Sequence, residues 1–309
     1  MDSENDLTSI DTQNSSNNSD YEKDLINSTW NRICDEVAYT IKSEPILSSY
    51  MNKYVLSRST FKEAIVASIA NDLSGGGCEY NITSEGWSSI LFDISDEPYE
   101  GFLGSIEYLA ARDLEAYVAR DPACELLSNA FLYYKGFKSI TCHRFAHVLW
   151  KNNRQALALT IQSLCCNKWD VDVHPACVIG GGFMIDHATG LVIGETAVIG
   201  NDCSFLHGVT LGSTGKEKHD RHPKVGNGVL IGCNATILGN IVIGDGAKIG
   251  SGSIVLKPVC CKSTVVGNPA KVVGRSTCNV SGKEVDHALM NVQLDDGRAL
   301  HEIYMTSHL

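Results

Sequence analysis

Three short stretches of the chain carry side chains that packing alone does not select: Val171-Asp172-Val173-His174-Pro175, Asp186-His187-Ala188-Thr189-Gly190 and Asp220-Arg221-His222-Pro223. A carboxylate beside an imidazole is the usual way to make a general base near neutral pH, because the anion steadies the protonated ring. Asp172 and His187 are close enough in sequence to meet near one edge of a coil of about eighteen residues, with Asp172 holding the ring. His222 stands next to a guanidinium, the group best shaped to grip a carboxylate at two points. A lone His on a turn is more often a surface or capping residue. Two separate stretches, each joining a His to Asp or Arg, favour chemistry here.

The scaffold that must position these groups is read from a period. From Ile179 to Val255 apolar residues fall six apart: Ile179, Ile185, Ile193, Ile199, Phe205, Leu211, Val225, Ile231, Ile237, Ile243, Ile249 and Val255, eight of the twelve followed directly by Gly. A second, small residue sits four positions further on, as in Ala197, Cys203, Val209, Ala235, Ala247 and Ser253. A six-residue period fits neither a helix nor an alternating hairpin. It fits a short parallel strand plus a tight turn, three per coil, stacked as a prism around an apolar axis. The period breaks twice, by two extra residues after Ile185 and by the loop Gly212–Pro223 between Leu211 and Val225. The polar stretches lie at these breaks.

Composition narrows the class. The 309-residue chain has room for two domains and a net charge of −11, which argues against a general nucleic-acid or membrane-surface binder. Residues 205–275 nevertheless hold nine Lys or Arg against three Asp or Glu, a local +6 that fits a small anion or a solvated charge run. The twelve cysteines lack metal-ligand spacing and read as reduced packing residues. With no leader pattern and no run near the roughly 18 apolar residues that cross a bilayer, a cytoplasmic protein is expected.

Taken in order, residues 1–20, rich in Ser, Asn and Asp, read as a disordered tail. Residues 21–168 form an all-helical domain: one stripe at Trp30, Ile33, Val37 and Ile41, another at Phe61, Ile65, Ile69 and Leu73, with Pro45 between them and Gly75-Gly76-Gly77 ending the second. Residues 78–100 read as an excursion, 102–118 as a third helix, and Asp121-Pro122 as a turn before further helices that run to Cys166. The prism occupies 169–275, closing at Val266-Gly267-Asn268-Pro269-Ala270, and 276–309 is a tail or covering segment. The fold class is α+β, an all-helical domain followed by a hexapeptide prism.

At these motifs the sequence resembles the serine O-acetyltransferases, the hexapeptide acyltransferases of cysteine biosynthesis. The likeness spans about residues 24–274 and includes Tyr134-Lys135-Gly136-Phe137 and Gly194-Glu195-Thr196. It implies a left-handed parallel β-helix that takes L-serine and acetyl-CoA, with no metal and with L-cysteine as feedback inhibitor. Carried over by residue, it makes His187 the base, Asp172 its partner and His222 a second catalytic imidazole. Asp121, Asp186 and Arg221 hold the serine, and His207 sits at the pocket or tunes cysteine inhibition. Gly212, Thr214, Lys216, Cys233 and Lys248 are the expected neighbours of coenzyme A, and Glu195 either orients a neighbour or is a turn carboxylate. His174 packs or caps near Pro175, and His143, His147, His219, His287, His301 and His308 are structural or surface residues. The resemblance further implies trimers, or trimers paired through the helical domains. Family members that bind cysteine synthase end in Ile, whereas this chain ends Ser307-His308-Leu309, so that complex is not expected. Two other classes compete: a zinc hydratase with His187, His207 and His222 as ligands, which leaves Asp121, Arg221 and the helical domain without a role, and a non-enzymatic scaffold, against which the intact Asp172, His187 and His222 stand.

Overall fold

Two hydrophobic periods meet at Trp169-Asp170, and the backbone changes architecture there. The computed structural model describes residues 8–75, 80–99 and 104–275. Eight helices come first: α1 (Thr8–Ser43), α2 (Ser48–Met51), α3 (Phe61–Ser74), α4 (Ser84–Ile94), α5 (Ile106–Arg120), α6 (Leu127–Tyr133), α7 (Lys135–Lys151) and α8 (Gln155–Trp169). Their starts follow local chemistry. Thr60, Thr83 and Ser105 cap α3, α4 and α5, each accepting a hydrogen bond from a backbone N–H three residues on. Glu63 reaches back to the Ser59 N–H at 2.8 Å, so the first turn of α3 is closed from both sides. Ile33 and Val37 are fully buried, as are the positions of the second stripe to within 3%.

Three boundaries differ from expectation. α1 begins at Thr8, inside the stretch read as a disordered tail, because a helix nucleated and packed further on extends at the cost of one residue per hydrogen bond. The excursion at 78–100 contains α4, which buries Trp87, Leu91 and Ile94 at helical spacing. The third helix is displaced a few residues C-terminally, to α5. The tail at 276–309, with Leu309, lies outside the described residues. Among the described residues no helix is long and apolar enough to cross a membrane.

Asp170, with a left-handed φ of 58°, caps α8 and turns the chain into the prism. The strands are β1 (Val171–Val173), β2 (Val178–Ile179), β3 (Met184–Ile185), β4 (Leu191–Ile193), β5 (Val198–Ile199), β6 (Ser204–Phe205), β7 (Thr210–Gly212), β8 (Lys224–Val225), β9 (Leu230–Ile231), β10 (Thr236–Leu238), β11 (Val242–Ile243), β12 (Lys248–Ile249), β13 (Ile254–Val255), β14 (Ser263–Val266) and β15 (Lys271–Arg275). They form three parallel walls, β1-β4-β7-β10-β13, β2-β5-β8-β11 and β3-β6-β9-β12-β14, to the last of which β15 adds an antiparallel edge. Every third strand returns to the same wall, which is a parallel β-helix. None of the twelve apolar positions is more than 4% exposed, so the six-residue period marks the axis. The two breaks show as longer steps: Val171 pairs with Leu191 and Thr210 with Thr236, against Val192 with Thr210 and Thr236 with Ile254. A cis peptide at Asn268-Pro269 lies in the closing turn.

The helical domain is pinned to the first coil by polar groups. Arg144 and Asp113, both fully buried, pair at 2.7 Å, and the same guanidinium donates to the carbonyls of Ile179 and Gly180 while Asp113 accepts from the Phe183 N–H. Arg112 and Arg120 share Asp202, and Arg120 also caps the Gly182 carbonyl. A buried Arg is tolerated because each of its three nitrogens finds an acceptor.

Candidate active site

The first period break builds a cleft of about 410 Å³ between the helical domain and the column, lined by Tyr117, Asp121, Tyr134, Lys135, Asp186 and His187 among others. It lies on the edge joining the third wall to the first. Its backbone is fixed by Tyr117, whose hydroxyl donates to the Ile185 carbonyl at 2.9 Å and accepts from the Ile185 N–H at 3.2 Å, one residue before Asp186. Gly136 permits this approach, since a Cβ there would stand 2.2 Å from the Ile185 oxygen and 2.5 Å from the Tyr117 hydroxyl. The two extra residues are absorbed by His187 and Ala188, both left-handed with φ near 58°. That conformation costs a non-glycine residue roughly 1–3 kcal/mol, and it points the chain inward at fully buried Ala188 while leaving the His187 side chain 74% exposed.

Around His187 the charges are those of Asp186, whose Oδ1 lies 3.7 Å from Nε2, and of Asp121 and Lys135 in the cleft lining. Asp121 is the residue at which α5 ends, and its Oδ1 accepts from the Ala123 N–H at 2.9 Å, which sets the Asp121-Pro122 turn. The His207 ring stands edge-on to His187 with centroids 5.8 Å apart, its Nδ1 buried without a partner among the described residues. The Tyr134 phenol, packed at 5.6 Å against Tyr117, is pushed up to about 12, first by desolvation, so it stays a donor at neutral pH. Lys135 hydrogen-bonds the Thr189 hydroxyl and closes the rim. Cys233 lies further along the same edge, where the Asn234 N–H bonds the His207 carbonyl and the Gly252 N–H bonds the Cys233 carbonyl.

The second break builds a different cluster, on the edge joining the first wall to the second. Arg221 pairs with Glu195 at 2.7 Å and folds back on the carbonyls of Lys218 and His219. The hydrogen bond from Arg221 holds the Glu195 carboxyl below its usual range. His222, 6% exposed, is locked by Thr196: its Nδ1 lies 3.1 Å from the Thr196 N–H and 3.0 Å from the Thr196 hydroxyl, which itself accepts from the N–H groups of Arg221 and His222. Desolvation, then Arg221, lowers the His222 pKa. His174 stands in the field of Glu195, Asp172 and Arg221, and its Nδ1 accepts from the Ala176 N–H, as a capping residue does.

The expected pairing of Asp172 with His187 is not made within one chain. Asp172 lies in the middle of β1, opposite Val192, and accepts from Gln162 at 2.6 Å; the carboxylate beside His187 is Asp186. The physical reason is the edge. Spacing of nearly one coil places two residues at neighbouring levels, but Asp172 is on the face of the first wall and His187 on the corner before it. His187, Asp186, Asp121, His207 and Cys233 therefore form one group, and Asp172, Arg221 and His222 another. Gly212, which accepts from the Gly239 N–H, begins the loop that carries Thr214 and Lys216, and this loop belongs with the second group. Lys248 is on β12 of the third wall, 6% exposed, with neither group. The three imidazoles of the zinc reading are likewise split between the two edges, and among the described residues no group of three or more His, Cys, Asp or Glu is arranged to hold a metal. Tyr117, Gly136 and Thr196 received no role from sequence; the latter two lie inside quoted motifs, and Tyr117 is a helix residue four before Asp121 with nothing but its type to mark it.

The sequence family described as "Serine acetyltransferase, N-terminal" matches residues 29–142, and the six-repeat bacterial transferase hexapeptide family matches 222–257. Serine acetyltransferase 2 of Arabidopsis thaliana is 44% identical over 244 residues, 79% of this chain and 73% of the relative. The serine acetyltransferase of Haemophilus influenzae is 42% identical over 272 residues, 88% and 98%. Among solved structures, a soybean serine acetyltransferase complexed with serine matches at 46% identity and a TM-score of 0.75, covering 81% of this chain and 99% of that one. A Brucella abortus serine acetyltransferase in complex with coenzyme A matches at 38% and 0.76, over 83% and 99%. A serine acetyltransferase in complex with cysteine matches at 43% and 0.75, over 80% and 99%.

Proposed function

This chain belongs to the serine acetyltransferase family, and from that premise we propose that it transfers the acetyl group of acetyl-CoA to the hydroxyl of L-serine, giving O-acetyl-L-serine and CoA in the first step of cysteine biosynthesis. The observation that carries the residue assignment is the exposed His187 imidazole held by a left-handed bend at the mouth of a cleft with two carboxylates. Asp121 and Asp186 suit the substrate ammonium. His187 takes the proton of the serine hydroxyl, the oxygen attacks the thioester carbon, and collapse of the tetrahedral intermediate expels the CoA thiolate, which receives that proton from the imidazolium. A positioned base of this kind contributes roughly a hundred- to ten-thousandfold.

The remaining groups come from a second copy. A patch on one edge that needs a different patch on another is a heterologous contact, and a three-sided column related by a three-fold rotation closes such contacts into a ring. In a trimer the neighbour's first wall and loop bring its Asp172, Arg221 and His222 against His187. Arg221 exchanges Glu195 for the substrate carboxylate, and Asp172 supports the His187 ring while Asp186 and Asp121 face the ammonium. Coenzyme A lies in the groove between copies, with Gly212, Thr214 and Lys216 on one side and Cys233 on the other. L-cysteine, with the same ammonium and carboxylate as serine, occupies this site as inhibitor, and His207 stands where its thiol would lie. A cytoplasmic location belongs to the same reading, in keeping with cysteines that are all free thiols among the described residues.

Thiol release from acetyl-CoA tests the reading directly. Release that depends on L-serine and is blocked by L-cysteine supports it; release at the same rate without serine, or none with it, refutes it.

A further inference from the structure

The Gly194-Glu195-Thr196 stretch holds His222 against one ring face and at one ring nitrogen, and that arrangement fixes where the ring proton is. A backbone N–H can only donate, so the Thr196 N–H, 3.1 Å from His222 Nδ1, requires Nδ1 to be an acceptor. The Thr196 hydroxyl lies 3.0 Å from Nδ1 and accepts from the N–H groups of Arg221 and His222, each at 3.0 Å, while its own proton faces both Nδ1 and the Asp220 carboxylate. Nδ1 thus receives the Thr196 N–H and carries no proton, and the neutral ring keeps its hydrogen on Nε2. Among the described residues no group accepts from Nε2. The ring lies across the bare Cα of Gly194, where a Cβ would stand 2.1 Å from Nε2 and 2.2 Å from Cδ2.

We propose that Thr196 is a positioning residue that fixes His222 as a neutral imidazole protonated on Nε2, so that His222 serves the acetyl transfer as a hydrogen-bond donor to a substrate oxygen while His187 alone takes the serine proton. The proposal rests on the acetyl-transfer reading for its substrate, but the tautomer does not. The charged groups facing the ring are Arg221, Lys224, Glu195 and His174, of which the cations and the desolvation oppose protonation and Glu195 favours it. A second proton on Nδ1 would also point at the Thr196 N–H, donor against donor. A base cannot be built from a ring whose only free nitrogen already bears hydrogen; a fixed donor can.

The test uses the full chain labelled with 15N-histidine, the His222 resonances being identified by their loss in His222→Asn. Expected is an unprotonated Nδ1 and a protonated Nε2 in the free enzyme, persisting as pH falls through about 6.5, where an ordinary imidazole is half charged. Thr196→Ser keeps that signature and a near-wild-type kcat/KM. Thr196→Val, which removes the hydroxyl and leaves shape, raises the His222 titration and lowers kcat/KM by roughly two- to tenfold, the worth of one hydrogen bond between neutral groups. A proton on Nδ1 at neutral pH in the wild-type chain, or an unchanged His222 titration in a folded Thr196→Val, overturns the proposal. If the tautomer is as stated but the wild-type chain releases no thiol with serine, the acetyl-transfer reading and the donor role fall together while the tautomer stands.

Discussion

Because the two groups of site residues lie on different edges of one column, two inactive variants are expected to restore each other when mixed. His187→Asn removes the base from the first edge and keeps a residue that tolerates the left-handed backbone found there. Arg221→Ala removes the carboxylate grip from the second edge. In a ring of three, each site takes its first edge from one copy and its second from the next. A site is intact when an Arg221→Ala chain supplies the first and a His187→Asn chain the second. Random equal mixing produces that order at about a quarter of sites, and rings selected by two tags to contain both chains produce it at about a third. The assay is thiol release from acetyl-CoA after co-expression, at serine well below KM so that Arg221→Ala homotrimers contribute little. If both halves of the site came from one chain, every chain would carry one lesion and no mixture would exceed its parents. Activity no higher than the parents' mean, in assemblies shown to contain both chains, would refute the reasoning.

Other outcomes follow from the same geometry. His187→Asn alone is expected to lose about a hundred- to ten-thousandfold in kcat with an unchanged thermal midpoint, since the side chain is 74% exposed. Arg144→Leu leaves Asp113 charged and buried and removes two donors to the first coil, so urea unfolding should show a loss of about 3–5 kcal/mol. Burial holds the imidazoles of His143, His174 and His222 below the ordinary His pKa, so on acidification the unfolded chain takes up protons that the folded chain refuses. Stability should therefore fall as pH drops through about 6.5, above the range in which carboxylates titrate; an unfolding midpoint unchanged across that window would contradict the assignment.

The column was legible because its period leaves no alternative: Ile179 to Val255 must face inward if six residues make one strand and one turn, and they do. α4 was missed although Thr83 supplies a cap and Trp87, Leu91 and Ile94 a stripe, because the neighbouring glycines and Pro98 dominate the composition of that stretch. Asp172 shows the limit of counting. Its distance from His187 in sequence gives the level in the stack, but the wall or corner depends on where in each coil the extra residues are inserted, and the bend at His187-Ala188 shifts that phase. Thr196 was invisible for another reason: its hydrogen bonds run to a segment twenty-five residues away, across an excursion whose path no period constrains.

The Tyr117 hydroxyl grips both polar groups of a single strand residue, and that strand leads directly into Asp186. Its helix also ends at Asp121. The two acids that frame the cleft are thus mounted on one rigid bracket, half helix and half column, joined by a phenol. A tilt of α5 against the column would spread or narrow the gap between those acids, so substitutions on the far side of that helix, remote from any substrate, should be felt first as altered grip on an amino group.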